Sequence, residues 1–154
     1  MKRADHKSDC PINYTVEIFG DTWSMIIYRD MATLGKKTFS ELLASEERIG
    51  SSVLADRLAH LEDKGVIQKL QDPRDKRKAI YSLTANGIKA MPILYEIAVW
   101  GSNTYANPVS HPAWFESMKM DRVEVVAAWR KALEAGDSFF FGEQSAISQL
   151  GLSL

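Results

Sequence analysis

Residues 51–67 limit the choice of folds most sharply, because Leu54, Leu58 and Leu61 recur at i, i+4 and i+7 and Gly65 follows them. That spacing predicts an amphipathic helix over residues 51–64, closed by a glycine able to take the left-handed cap. With Leu54 at the origin and one helical step per residue, Leu58 and Leu61 fall within about 40° of it, whereas Ser52, Asp56 and Ala59 fall at roughly 140–200°. One face is leucine and the opposite face is small and polar. Such a face either lies in solvent or approaches another surface closely, and the helix alone does not decide which.

The flanking segments narrow the choice. Residues 66–70 and 79–83 are short strand-forming runs separated by a charged stretch containing Asp72-Pro73, the pattern of a β-hairpin. Upstream, Ile12, Val16 and Phe19, then Trp23, Ile26 and Ile27, recur with helical spacing and are interrupted at Gly20-Asp21. They predict two helices joined by a tight turn, with Pro11 in the first helical turn and Leu34-Gly35 closing the second helix. Thr38-Phe39-Ser40-Glu41 has the capping-box pattern and predicts a short helix to about Ser45. Thr84 offers an N-cap for a helix running through Met91 to Trp100, kinked at Pro92, with Gly101 starting a loop. Trp114 and Phe115, then Val126, Trp129 and Leu133, predict two more helices ending at Ala135-Gly136, ahead of Phe139-Phe140-Phe141.

Helix, helix, capped short helix, connector, leucine-spaced helix, hairpin is the order of a winged helix-turn-helix, whose second helix enters the major groove while the hairpin flanks it. The expected fold class is therefore mainly α: a winged helix-turn-helix with a two-stranded antiparallel β-hairpin wing and a helical C-terminal extension. Residues 10–101 form the expected winged-helix DNA-binding domain, and residues 102–154 form an extension without an assigned role.

Charge and composition remove other classes. The 154 residues carry a net charge of -1, which leaves neither a uniformly basic coat nor an acidic tail. Residues 36–90 nevertheless hold eleven basic against eight acidic residues, between two acidic flanks. The longest apolar runs fall far short of the roughly 18 residues of a membrane span, and the polar start lacks a secretory core, so a cytoplasmic protein without membrane contact is expected. A single cysteine, Cys10, and the scattered His6, His60 and His111 give no disulfide framework and no metal-ligand spacing, and no cofactor is expected.

On this fold the outward face of the leucine-spaced helix offers Ser51, Ser52, Ala55, Asp56 and His60 to base edges, and its first amides suit a phosphate. Arg57, about 60° from the leucine face, either pairs internally or reaches a phosphate. At the hairpin tip Arg74, Lys76, Arg77 and Lys78 form a basic cluster that a sheet does not require. Together with Lys36, Lys37 and Thr38 ahead of the capped helix they are expected to meet phosphates or a minor groove. The competing reading is a solvated turn stiffened by Asp–Arg pairs.

Cys10-Pro11, Gly20-Asp21-Thr22-Trp23-Ser24, Phe39-Ser40-Glu41-Leu42, Leu54-Ala55-Asp56-Arg57-Leu58, Leu61-Glu62-Asp63-Lys64-Gly65-Val66-Ile67, Tyr81-Ser82-Leu83-Thr84-Ala85-Asn86-Gly87 and Trp100-Gly101, in this order, resemble the HxlR-type winged-helix transcription regulators. Asp72-Pro73-Arg74-Asp75-Lys76-Arg77 also resembles the wing of MarR-type regulators. The resemblance covers roughly residues 10–101. It implies a homodimer on double-stranded DNA, at an operator with dyad symmetry, with Ile12, Val16 and Phe19 facing Ile93, Leu94, Ile97 and Trp100 across the subunit contact. Two departures stand out. Ser52 and Ala59 stand where many members carry lysine or other polar or basic residues, and residues 102–154 extend beyond the usual family length.

In some HxlR-type regulators the cysteine before the proline senses oxidants or electrophiles, and Cys10 lies just ahead of a helix N-terminus, where the dipole favours negative charge. The alternative is a small packing residue with Asp5 and Asp9 opposing that charge. Trp23, Trp100, Trp114, Trp129 and the Phe139–Phe141 run either line a small-molecule effector cavity or pack the core, and packing is the commoner use of such side chains. Enzyme readings on Cys10 with His6, or on Glu46-Glu47, lack a third orienting group. A winged helix used only for protein contacts is the alternative to the expected repressor.

Overall fold

Local chemistry sets the helix boundaries in this computed structural model, which describes residues 8–154. Pro11 opens α1 (Pro11–Phe19). Asp21 caps α2 (Thr22–Leu34), its Oδ1 accepting from the amides of Trp23 and Ser24 at 3.1 and 2.9 Å, and Gly35 closes that helix in the left-handed region at φ 68°. The Thr38–Glu41 capping box forms as the sequence predicts and opens α3 (Phe39–Leu43), which stops two residues short of Ser45. The leucine-spaced helix is α4 (Ser51–Asp63); Leu54, Leu58 and Leu61 are all buried in the core, and Gly65 turns the chain at φ 68°.

The wing is β1 (Ile67–Gln71) paired antiparallel with β2 (Ala79–Leu83), in a register running from Ile67 opposite Leu83 to Gln71 opposite Ala79. Its base is tied to the helices, because the Tyr81 amide donates to the Lys37 carbonyl at 2.7 Å and the Thr84 amide to the Val66 carbonyl at 3.0 Å. The helix expected to kink at Pro92 is two helices, α5 (Ala85–Lys89) and α6 (Met91–Thr104), with the break at Ala90. Pro92 falls in the first turn of α6, where its missing N–H costs nothing. Gly101 does not start a loop: α6 runs past it, with the Tyr105 amide donating to the Gly101 carbonyl at 2.9 Å. A glycine inside a helix costs about 1 kcal/mol, which the surrounding hydrogen bonds outweigh here.

Beyond α6 follow α7 (Pro112–Ser117), α8 (Arg122–Glu134) and a short α9 (Ala146–Gln149) that the sequence reading did not anticipate. These elements share one apolar core with α1–α6. Trp114, Trp129, Phe139 and Phe140 meet edge to face there, Trp129 and Phe139 with ring centroids 4.9 Å apart, and Trp129 and Phe139 are completely buried. These aromatics therefore pack the core, whereas Trp100 is 69% exposed. The extension also finishes α2: Ala32 O accepts from the Trp129 indole at 2.9 Å and from the Phe139 amide at 3.0 Å, and Thr33 O from the Phe140 amide at 3.1 Å. Carbonyls in the last turn of a helix have no partner within it, so a segment that buries this end must supply the donors.

Candidate nucleic-acid interface

The buried leucines of α4 turn its other face outward. Ser51, Ser52, Ala55, Asp56 and Ala59 are exposed, and so in part is Val53, a residue the helical wheel left unremarked. Gly50 caps the helix without a side-chain bond, no acidic residue stands in its first turn, and the amides of Ser51, Ser52 and Val53 lack an intrahelical acceptor. Short side chains over open amides leave room for a close approach by a base edge or a phosphate.

Two expected contacts turn inward. His60 Nε2 lies 3.1 Å from the Ile18 carbonyl oxygen, so Nε2 carries the proton and ties α4 to α1. Arg57 Nη1 lies 3.5 Å from Asp21 Oδ2, joining α4 to the cap of α2. Partial burial works against the ionised Asp21 carboxyl, but bonds from the Ser24 hydroxyl and amide, with the charge of Arg57, hold it below the usual carboxylate range. Asp21 therefore links α2 to α4 as well as starting α2.

The basic residues ahead of α3 are likewise drawn into the framework. Lys36 Nζ sits 2.6 Å from Oδ2 of Asp30, a carboxylate with no exposed surface, which also holds Arg29 at 2.6 Å and accepts from Ser45 Oγ. A fully buried carboxylate requires such partners, and Lys36 is one of them. Lys37 Nζ donates to the Gly136 carbonyl at 2.8 Å, and Thr38 spends its hydroxyl on the capping box. Charge is a weaker signal than burial here: the sequence shows that Lys36 is basic but not that Asp30 is buried beside it.

The wing differs. Arg74, Lys76, Arg77 and Lys78 are all exposed, and the tip is shaped by its aspartates: Asp72 Oδ1 accepts from the Arg74 amide at 2.8 Å and Asp75 Oδ1 from the Arg77 amide at 3.1 Å. Arg77 Nε also lies 3.1 Å from Asp75 Oδ1, yet its side chain stays 90% exposed, so this pair is loose and breaks readily. The aspartates thus stiffen the turn, as one reading of the tip has it, while the cations stand in solvent.

Of the expected subunit contact, Ile12 (73%), Val16 (57%), Ile97 (45%), Trp100 (69%) and Ile93 (37%) are exposed on α1 and α6. Phe19 and Leu94 are not available to a partner: they are buried in the chain's own core, where the Phe19 ring packs 5.1 Å from that of Tyr28. Cys10 is a free, exposed thiol at the N-cap of α1. His6 and Asp5 lie outside the described residues, and Glu47 is held by Arg29 at 2.5 and 3.0 Å.

Arg48 carries no role in the sequence reading beyond its place in the polar connector. It is exposed in the turn between α3 and α4 with φ 58°, and only its position before Gly50-Ser51-Ser52 could have pointed to it.

Comparison with known proteins places this geometry. A family model described as HxlR-like helix-turn-helix matches residues 18–108. The uncharacterised HTH-type transcriptional regulator BH0655 of Halalkalibacterium halodurans is 31% identical over 113 residues, covering 70% of this chain and all of that protein. Among solved structures, PA1607, a proposed transcription factor, aligns with a TM-score of 0.61 at 32% identity, covering 68% of this chain and 72% of that one. The redox regulator HypR in its oxidised form aligns with a TM-score of 0.56 at 26% identity, over 65% of this chain and all of its own.

Proposed function

Because the chain belongs to the HxlR-like helix-turn-helix family, we propose that it regulates transcription as a homodimer that binds a dyad-symmetric operator and represses by occluding the promoter. The observation that carries the reading is the outward face of α4, small, unpaired and open at its amides, beside a wing whose four cations are exposed. In this reading Ser51, Ser52, Ala55 and Asp56 meet base edges, and Asp56 accepts from a cytosine amino group or repels phosphate to keep the register. Arg74, Lys76, Arg77 and Lys78 supply attraction that does not depend on sequence.

The subunit contact in this proposal uses the exposed members of the apolar set, Ile12, Val16, Ile93, Ile97 and Trp100. A patch of that kind on α1 and α6 fits a self-complementary two-fold interface better than solvent. Cys10 heads α1, so an adduct on its thiol would sit at the edge of that surface, and we assign oxidant or electrophile response to it on the same grounds. The structural likeness to HypR, a redox regulator, supports that assignment.

Selection of genomic fragments at a stated salt concentration, followed by titration of Arg77→Ala and Ser52→Ala against the selected and a random duplex, tests the division of roles. Arg77→Ala should weaken both duplexes alike and flatten the plot of log affinity against log salt by about 0.9. Ser52→Ala should alter the preferred sequence and leave the slope. The reverse pattern sinks this division, and a chain that shows no salt-dependent retardation of any fragment is a protein-contact module instead.

A further inference from the structure

Resting on the DNA-binding reading above, we infer that Arg48 is a phosphate-contacting residue that sets how α4 enters the groove. The residues from α2 to α4 contain five lysines and arginines, and four are committed within the fold: Arg29 to Asp30 and Glu47, Lys36 to Asp30, Lys37 to the Gly136 carbonyl and Arg57 to Asp21. Arg48 is the exception among the described residues, with an exposed guanidinium that makes no hydrogen bond or ion pair. The carboxylate beside it does not take it up, since Glu47 is already held by Arg29 through both oxygens.

Its backbone makes the choice of residue informative. Arg48 is the only non-glycine among the described residues in the left-handed region, at φ 58°. Its amide donates to the Ser45 carbonyl at 2.9 Å, a bond that glycine would make as well and without the strain that a Cβ brings to this conformation. The turn itself thus has no use for an arginine. What the arginine adds is a free fork of donors on the residue two before the Gly50 cap, in the turn that leads to the unpartnered amides of Ser51, Ser52 and Val53. A long, exposed side chain from this turn can reach a backbone phosphate near those amides, and the pair of contacts would fix the depth and angle at which a helix without basic residues on its outward face approaches DNA. Glu46, exposed two residues earlier, opposes any diffuse attraction of phosphate to this turn, so the effect belongs to a direct contact and not to the local field.

Arg48→Gly separates this role from a structural one, because strain and binding move in opposite directions. Its melting temperature should equal the parent's or exceed it by up to about 4 °C as the strained conformation is relieved. Its affinity for a random-sequence duplex and for a selected genomic duplex should both fall several-fold, with a salt slope shallower by about 0.9 and the preferred sequence unchanged. Arg48→Lys keeps a phosphate-binding charge and should retain the parental slope. Parental affinity and slope in Arg48→Gly would overturn the assignment of Arg48 while leaving the DNA-binding reading intact. Absence of salt-dependent binding in the parent itself would remove both.

Discussion

Lys36 and Arg77 are both basic residues of the basic central segment, and their surroundings give them opposite tests. Lys36 neutralises the fully buried Asp30, so Lys36→Met leaves that carboxylate with Arg29 and Ser45 alone and should cost about 1–3 kcal/mol in chemical denaturation, the usual penalty for a buried polar group losing a partner. Once folded, that variant should keep the parental salt slope on DNA; a slope shallower by about 0.9 would return Lys36 to the interface. The same framework predicts how stability depends on pH. Glu47 is held below the usual carboxylate range by its bonds from Arg29, and Glu41 by the amides of Lys37 and Thr38 acting against partial burial. A carboxylate with a depressed folded-state value stabilises the fold fully above its unfolded value and loses that contribution as pH falls through the folded one. Stability should therefore be level above about pH 5 and decline below about pH 4. Glu47→Gln should flatten that decline in urea titrations at successive pH values, and an unchanged pH profile would count against the Arg29–Glu47 link.

α5 is the element whose position leaves least room for change. It begins at Thr84, whose hydroxyl donates to the Gly65 carbonyl at 2.5 Å and accepts from the Gly87 amide, while the Tyr28 hydroxyl donates to the Gly87 carbonyl at 2.7 Å. A Cβ at Gly87 would stand 2.1 Å from the Val66 carbonyl oxygen, a backbone atom fixed by the wing. Alanine usually stabilises a helix relative to glycine by roughly 0.5–1 kcal/mol, so Gly87→Ala reverses sign here and should destabilise by about 1–3 kcal/mol. A raised melting temperature would show that α5 does not press on the wing. The contrast between α4 and α6 explains what was legible in the sequence. α4 could be read because the leucine spacing, the closing glycine and the polar face all act within a few residues of one another. The break at Ala90 and the passage of α6 through Gly101 could not, because Pro92 and Gly101 have the same local propensities in a kink, a loop or a first turn, and tertiary packing chooses. The site follows the same rule: the wing cations announced themselves as a cluster, whereas the internal partners of His60 and Lys36, the Ile18 carbonyl and Asp30, could not be read because the fold and not local sequence brings them together.

Two features belong to the scale of the whole molecule, the apolar residues exposed on α1 and α6 and the C-terminal extension packed into the core. The apolar residues exposed on α1 and α6 predict a dimer, and Ile97→Asp, which places a carboxylate in the middle of that patch, should shift light scattering from twice the chain mass toward the single chain without unfolding it. The second is the C-terminal extension, although the family match ends at residue 108. Trp114, Val125, Trp129, Leu133, Phe139 and Ile147 all enter the shared core, and each large apolar side chain is worth about 1.5–3 kcal/mol when fully buried, against a net stability of only about 5–15 kcal/mol for a domain. Deleting the extension also removes the ordering cost of its own residues, so that comparison alone does not decide the outcome. What decides it is the surface left behind. Ala32 O and Thr33 O lose the donors of Trp129, Phe139 and Phe140, Tyr95 loses the Trp114 ring 6.0 Å away, and Lys37 loses the Gly136 carbonyl. Apart from Tyr95 on α6, these losses fall on the C-terminal end of α2 and on the segment that leads into α3, the part of the framework from which α4 is positioned. A chain ending after Thr104 should therefore be insoluble or lack a cooperative melting transition, and adding residues 105–154 as a separate peptide should not restore operator binding at micromolar concentration. A truncated chain that melts cooperatively and retards DNA with the parental salt slope would show that the extension is an accessory and not part of the core.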